Sequence, residues 1–456
     1  MTERMRAPLA FAVMAALLVS VGLFQSWSVA LAIFNLCLIS AVMALGVNIQ
    51  WGYAGLFNVG IMAFTAIGGV AAVLVSYPPV REAWTAGGAG LMASIGILVI
   101  MVGSIALIQR RMPPGWLRRG STVTVLALGV LLLQRYFGTS TAAIEGIDPA
   151  KTGFLGGLGL PILLSWIIGG VMAAGVAWVI GKIALGLRSD YLAIATLGIS
   201  EIVIAVIKNE DWLVRGVKNV TALPRPVPYE VNLQQTDWFI DLVARFNSSR
   251  LEDVVDPAVR EALLNTLVVE GSSLFVKLSY SVLFLIVLLI ILGLSQRALN
   301  SPWGRMMRAI RDNDEAASAM GKDVTWRHLQ VFVLGSAVVG IAGAMMTTLD
   351  GQFTPGSYQP LRFTFLIWVM VIVGGSGNNL GAVFGGFLIW FIWIEAEPVS
   401  LTLMSALTSG LAEGSAVRDH LIESAPHLRL FVMGLVLLLV MRFSPKGVLP
   451  EKVRHT

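Results

Sequence analysis

Apolar runs long enough to cross a lipid bilayer recur about a dozen times along this chain, each near the ~20 residues that a spanning helix needs. In lipid the backbone has no water to bond, so such runs fold as helices that satisfy their own polar groups. The expected spans are residues 8–24, 28–49, 54–75, 90–108, 121–137, 160–185, one opening at Arg188, then 274–294, 329–349, 363–373, 381–394 and 427–441. Only 13% of the 456 residues are charged, against ~25% in soluble domains. One transmembrane domain over residues 1–456 is expected. The first run, behind Arg4 and Arg6, has the look of a signal peptide with a Ser-Val-Ala cleavage site. We read it as an uncleaved first span, because the polytopic chain behind it inserts without cleavage. The lone Cys37 permits no intrachain disulfide.

Charge placement sets the expected topology. Arg110, Arg111, Arg118 and Arg119 form one loop without an acidic residue among them, which the positive-inside rule puts in the cytoplasm. Lys182, Arg188 and Arg297 follow on the same side by alternation, and Arg442, Lys446, Lys452 and Arg454 bring the carboxyl terminus there too. Both termini are expected inside, in a multi-pass protein of the inner (plasma) membrane. Residues 209–272 form a polar insert with ten acidic and six basic side chains and Pro224, Pro226, Pro228 and Pro257. Its net negative charge favours the external side. Within it Leu251, Val254, Val255, Ala258 and Val259 have the spacing of a surface helix.

Two apolar runs are interrupted by glycine. The first break, from Trp51 to Gly60, contains Gly52, Tyr53, Gly55 and Asn58; the second contains Gly374, Gly375 and Gly377. Backbone freed from a helix at membrane depth must be buried in protein or line a cavity. Paired interruptions in two halves of a transporter point to a binding or gating region. These seven residues are candidate pathway positions, with ordinary tight turns between spans as the competing reading. The span opening at Arg188 adds Thr196 and Glu201. A carboxylate inside a span is costly enough to suggest a role in transport, or a bond that serves helix packing.

Residues 301–329 form a polar stretch between spans, SPWGRMMRAIRDNDEAASAMGKDVTWRHL. Asp312 and Glu315 fit a capping box, and Gly321 is a natural stop. Between them Ala316, Ala319 and Met320 make one small apolar face on a helix too short to stand alone. It needs a partner groove. Arg305, Arg308 and Arg311, three residues apart, suit lipid headgroups or an acidic partner surface at the membrane.

The run Glu315, Ala316, Ala317, Ser318, Ala319, Met320, Gly321 resembles the EAA loop of ABC importer permeases. With its flanks, including Arg308 and the later VIVGGSGNNLGAVFGG, it resembles the larger permease subunit of branched-chain amino acid importers. Gly52-Tyr53-Ala54-Gly55 and the segment Arg188 to Val203 are similar to further motifs of that family, over roughly Leu45 to Gly447. Relatives often carry a basic residue shortly after Glu201; here Ile204 is apolar and Lys208 is the first cation. The resemblance implies an all-α polytopic transmembrane helix bundle with broken helices and a cytoplasmic coupling helix. It also implies a heterodimer with a second permease, two cytoplasmic ATPase subunits, one of which takes the coupling helix at residues 315–321, and a periplasmic substrate-binding protein. Close relatives move urea or short amides, and nothing in the residues separates those substrates.

No phosphate-binding loop is present: Gly175 and Gly181 before Lys182 have one intervening residue too many, and Ile183 replaces the hydroxyl residue. The chain is not expected to be its own ATPase. His328, His420, His427 and His455 lack metal-ligand spacing. No enzyme, cofactor, metal or nucleic-acid partner is expected; membrane lipid is. An ion-coupled secondary transporter using Glu201 is the competing class, and a passive channel a third.

Overall fold

The computed structural model describes residues 3–148, 153–411 and 415–451. The Arg4 side chain, Lys452, Arg454 and His455, used above, lie outside them. The chain opens with α1 (Glu3–Phe24), α2 (Trp27–Ala54) and α3 (Ile61–Ser76). A short α4 (Arg81–Ala83) passes through a π-helical turn, Trp84–Gly88, into α5 (Ala89–Arg111). α6 (Trp116–Glu145), α7 (Leu163–Ala184) and α8 (Ser189–Asn209) follow. The insert carries α9 (Asp211–Val214), α10 (Glu230–Gln234), α11 (Asp237–Phe246) and α12 (Ser248–Glu252). Next come α13 (Pro257–Asn300), α14 (Pro302–Asp312), α15 (Asp314–Ala319) and α16 (Val324–Asp350). α17 (Pro360–Gly374), α18 (Asn379–Leu407), α19 (Ala416–Ser424) and α20 (Leu428–Phe443) complete it.

Among the described residues ten helices are long and apolar enough to cross a membrane, and Ile61–Ser76 and Pro360–Gly374 are shorter apolar helices. The expected all-α polytopic bundle is what is found. The connections gather at two ends. At the insert end Leu155 N donates to Trp212 O at 3.0 Å, and Val220 and Phe353 exchange backbone bonds of 3.0 and 2.8 Å. At the opposite, basic end lie α14, α15 and both glycine breaks.

The centre of the bundle is α2, α3, α16 and α18, while α5 and α6 lie at its edge. In the most apolar part of α2 72% of residues are buried, against 6% in α6, so the outer pair presents apolar side chains all round to lipid. Lipid tails are as apolar as leucine, so close packing rather than water exclusion holds the inner helices together. Small residues make that possible. A Cβ on Gly340 of α16 would meet Gly169 O of α7 at 2.6 Å and Ala173 Cβ at 2.5 Å, and one on Gly343 would collide with Thr65 O of α3.

Several expected boundaries are corrected. α2 runs through Gly52 and Tyr53 to Ala54, and α3 begins only at Ile61, so the first break is residues 55–60. α18 continues past Ile394 to Leu407. Leu251 to Val259 is not one surface helix, because Asp256 caps a new one by accepting from Ala258 N at 2.9 Å and Pro257 sits in its first turn. Proline lacks the N–H that a helix interior needs but suits a helix start. The last 16 residues assigned to the insert, 257–272, are therefore the first turns of the 44-residue α13.

We expect Gly343→Leu to destabilise the protein by at least ~1–3 kcal/mol, the range for overpacking. Gly103→Leu on α5, where nothing lies within 4 Å of the added Cβ, should be neutral. Thermal unfolding in detergent checks this, and equal midpoints would contradict the packing argument.

Candidate functional site

At the basic end, Ser301 caps α14 by accepting from Gly304 N at 3.4 Å, and Pro302 opens the helix. Gly304, Met307 and Ile310, three residues apart, are its buried face. The chain then turns at extended Asn313, whose Oδ1 accepts from Ala316 N at 2.8 Å and starts α15. The expected cap, Asp312, is one residue early. Its carboxylate instead accepts from Arg311 Nε at 3.1 Å at the end of α14.

α15 buries no residue. Glu315, Ala316, Ala319 and Gly321 are exposed, Met320 is 80% exposed, and Ala317 alone leans on the core. The helix ends where expected, at Gly321 with φ +77°, while Lys322 N donates back to Ala317 O at 3.2 Å. A six-residue helix capped at both ends yet touching little of its own protein presents a formed, uncovered surface.

Behind α15, the arginine row divides. Arg305 faces solvent, but Arg308 and Arg311 turn inward. Arg311 Nη1 donates to Glu451 Oε2 at 2.9 Å and to Gly52 O, and Arg308 Nη1 lies 3.8 Å from Glu451 Oε1. Lipid headgroups or an acidic partner surface were expected for these arginines; Arg308 and Arg311 are instead paired with the chain's own carboxyl-terminal segment. Burial alone would disfavour the Arg311 cation, but Glu451 and then Asp312 outweigh it and raise its pKa above the ordinary value.

Gly52, in the last turn of α2 before the first break, packs against the second break: a Cβ there would meet Gly377 N at 2.5 Å. Gly377, at φ +79°, donates its N–H to Asn48 Oδ1 at 2.9 Å. Asn379 Oδ1 accepts from Asn48 Nδ2 at 3.1 Å and from the Tyr53 hydroxyl, while its Nδ2 donates to Gln296 Oε1 of α13 at 3.1 Å. The carboxyl-terminal segment closes the second break, with Val448 N and Leu449 N each 2.9 Å from Val373 O and Gly374 O. Gly375 sits against that segment at φ +116°.

The first break is satisfied from four sides. Gly55 ends α2 at φ +69°. Asn58 donates to Gln50 Oε1 at 2.9 Å and accepts from its neighbour Gly60 N at 2.8 Å. Thr196 Oγ1 and Ser200 Oγ on α8 accept from Val59 N and Ala63 N at 3.0 and 3.1 Å, and Trp368 Nε1 donates to Asn58 O at 3.0 Å. The void beside it, about 160 Å³, is too narrow for a water-sized sphere, so the break is sealed in this conformation. Glu201 does not join it. It lies exposed on the outer face of α8, with no hydrogen bond or ion pair to another described residue. Sequence reasoning missed Asn48, Gln50, Asn379 and Glu451; polar side chains inside apolar runs were the signal for the first three.

A multi-pass bundle whose two broken helices meet beneath an exposed helical turn is built as a membrane permease. The sequence profile of the family described as "Branched-chain amino acid transport system / permease component" matches residues 29–441, and the chain belongs to that family. It is a family of transport permeases, not of enzymes. The chain is 23% identical over 346 residues to the probable branched-chain amino acid transport permease protein LivM of Methanocaldococcus jannaschii, covering 72% of this chain and 83% of that one. It is 24% identical to the high-affinity branched-chain amino acid transport system permease protein LivM of Escherichia coli K12, over 62% of this chain and 56% of that one. A shorter match, 28% identical over 27% of this chain and 38% of the other, is to the probable permease protein LivH of M. jannaschii. No solved structure matches.

Arg311→Met and Glu451→Gln should each lower stability by ~1–3 kcal/mol, the range for charge-assisted hydrogen bonds. The double variant should lose clearly less than the sum, because both changes remove one shared interaction. Strict additivity of unfolding free energies would show that the pair is not coupled.

Proposed function

We propose that this chain is the larger permease subunit of an ATP-driven importer and carries branched-chain amino acids delivered by a periplasmic binding protein. The observation that carries the reading is α15: a formed, capped, uncovered turn linked through Arg311 to both helix breaks. One of two cytoplasmic ATPase subunits docks on Arg308, Glu315, Ala316, Ala317, Ala319, Met320 and Gly321, and a second permease, with the other ATPase, completes the assembly. The LivM and LivH names of the relatives support that pairing. The basic end faces the cytoplasm, with both termini there and residues 209–272 outside, because basic side chains favour the inner side. The membrane is the inner, plasma membrane.

The breaks form the gate. Gly52, Tyr53, Gly55, Asn58 and Thr196, with Gly374, Gly375 and Gly377, lie along the pathway, and the void beside Asn58 and Thr196 is too narrow for water in the present conformation. When the ATPases close they draw α15 and α14 as a unit. Arg311 then pulls on Gly52 O, and the pull loosens the bonds between Asn48, Asn379 and Gly377. Glu201, on the outer face, meets the second permease and borders the pathway from that side. An ion-coupled secondary transporter would need that carboxylate coupled to a gate inside the bundle, and it is not among the residues that seal the break. Urea and short amides remain the competing substrates, separated by a ligand screen of the binding protein.

Ala316→Glu would bury an unpaired carboxylate in the ATPase groove and Gly321→Leu would strain a left-handed turn. We expect each to weaken ATPase association by roughly 100-fold, about 3 kcal/mol, and to abolish uptake without lowering membrane insertion. Co-purification of the ATPases and uptake in vesicles check this; full binding with wild-type uptake by both variants would make α15 an ordinary loop.

A further inference from the structure

A cavity of about 390 Å³ opens on the side of the bundle between α18 and α20, well away from the breaks. Its apolar wall includes Trp390, Ile394, Pro398 and Leu401, and Glu397 and Arg429 form the polar wall. Trp393, also in the lining, has the guanidinium carbons of Arg362 and Arg429 each 5.0 Å from its ring centre. Arg429 pairs with Glu397 through Nη2, but its Nε is buried without a partner, and so is Trp390 Nε1. Arg362 makes no ion pair or hydrogen bond among the described residues. The two buried unpartnered atoms within the lining, Arg429 Nε and Trp390 Nε1, are both donors.

Position and shape narrow the ligand. Glu397 lies 18 residues along α18 from Asn379, about 27 Å from the basic end, and Arg429 about 21 Å from Phe443 along α20. A hydrocarbon core of ~30 Å puts the polar wall at the headgroup level of the leaflet on the insert side, with the apolar wall beside it. Buried donors left without acceptors are destabilising by themselves, so a site of this kind is completed by an anion. Arginine with tryptophan at the interface is also the usual anchoring chemistry. A zwitterionic amino acid would need a free acceptor for its ammonium group. Within the lining the one carboxylate, Glu397, is already engaged by Arg429; Glu395, which accepts from Gln25 Nε2 at 2.8 Å and keeps its buried Oε1 without a partner, is not part of the lining.

We propose that this cavity binds an anionic phospholipid. Its phosphate accepts from Arg429 Nε, Trp390 Nε1 and Arg362, and an acyl chain lies along Ile394, Pro398 and Leu401. The site requires only that the bundle sit in a bilayer and does not depend on the docking role of α15.

The test is native mass spectrometry of the full-length permease titrated with phosphatidylglycerol or with phosphatidylcholine of the same chains. Wild type should prefer phosphatidylglycerol by roughly tenfold, and Arg362→Gln and Arg429→Gln should each cut that preference several-fold. Arg362→Gln breaks no internal ion pair, so its folded state, confirmed by an unchanged melting midpoint, decides the matter if Arg429→Gln misfolds. An undiminished preference in folded Arg362→Gln would overturn the proposal. Displacement of the lipid by free leucine would also overturn it, making the cavity a substrate subsite. Binding of inorganic phosphate with no preference between the lipids would reduce it to a bare anion site, again overturning it.

Discussion

Backbone released from a helix inside a membrane has no water to bond, and this chain releases it twice, at residues 55–60 and 375–378. Side chains of other helices meet several of the freed groups, Thr196 Oγ1 at Val59 N, Trp368 Nε1 at Asn58 O and Asn48 Oδ1 at Gly377 N, while backbone carbonyls take Gly55 N, Leu56 N and Gly375 N. Asn48 and Asn379 reach across from α2 and α18, Gln50 and Asn58 bridge toward α16, and Thr196 and Ser200 come from α8. An unpaired buried amide is destabilising by ~1–3 kcal/mol, so these bonds are not optional. The second break is held against the last turns of α2, just before the first break, and the centre of the bundle is arranged around that contact.

The same arrangement joins an exposed surface to the interior. α15 has too few contacts to hold its own position, and the turn at Asn313 hands it to α14, which is anchored by Met307 and Ile310. Arg311, Glu451 and Gly52 then connect α14 to both breaks. Arginine suits this place because its planar fork can hold a carboxylate and a carbonyl together and its charge is permanent. A force applied at Ala316 therefore has a short, hydrogen-bonded route to Asn379.

The spans were legible because the ~20-residue requirement acts on each run separately. The breaks were legible from their glycines, but their limits were not. Gly52 stays helical because Asn48, one turn before it, and the adjacent Tyr53 are both held by Asn379, a partner 331 residues from Asn48. The cap of α15 was misjudged between adjacent residues of equal propensity, and Arg311 decided it by occupying Asp312. Glu451 carried no local signal, since its partner is 140 residues away. Asp256-Pro257 was readable as a helix start and was instead absorbed into a longer apolar pattern.

The central claim is that α15 and the second break move as one unit through Arg311. Spin labels at Ala319 and Ser376, both exposed, report the distance between them in the assembled transporter with and without ATP trapped on the ATPases. The account predicts one unchanged distance distribution in the wild type and a broadened, ATP-dependent one in Arg311→Met. An ATP-dependent change of the same size in both proteins would contradict it.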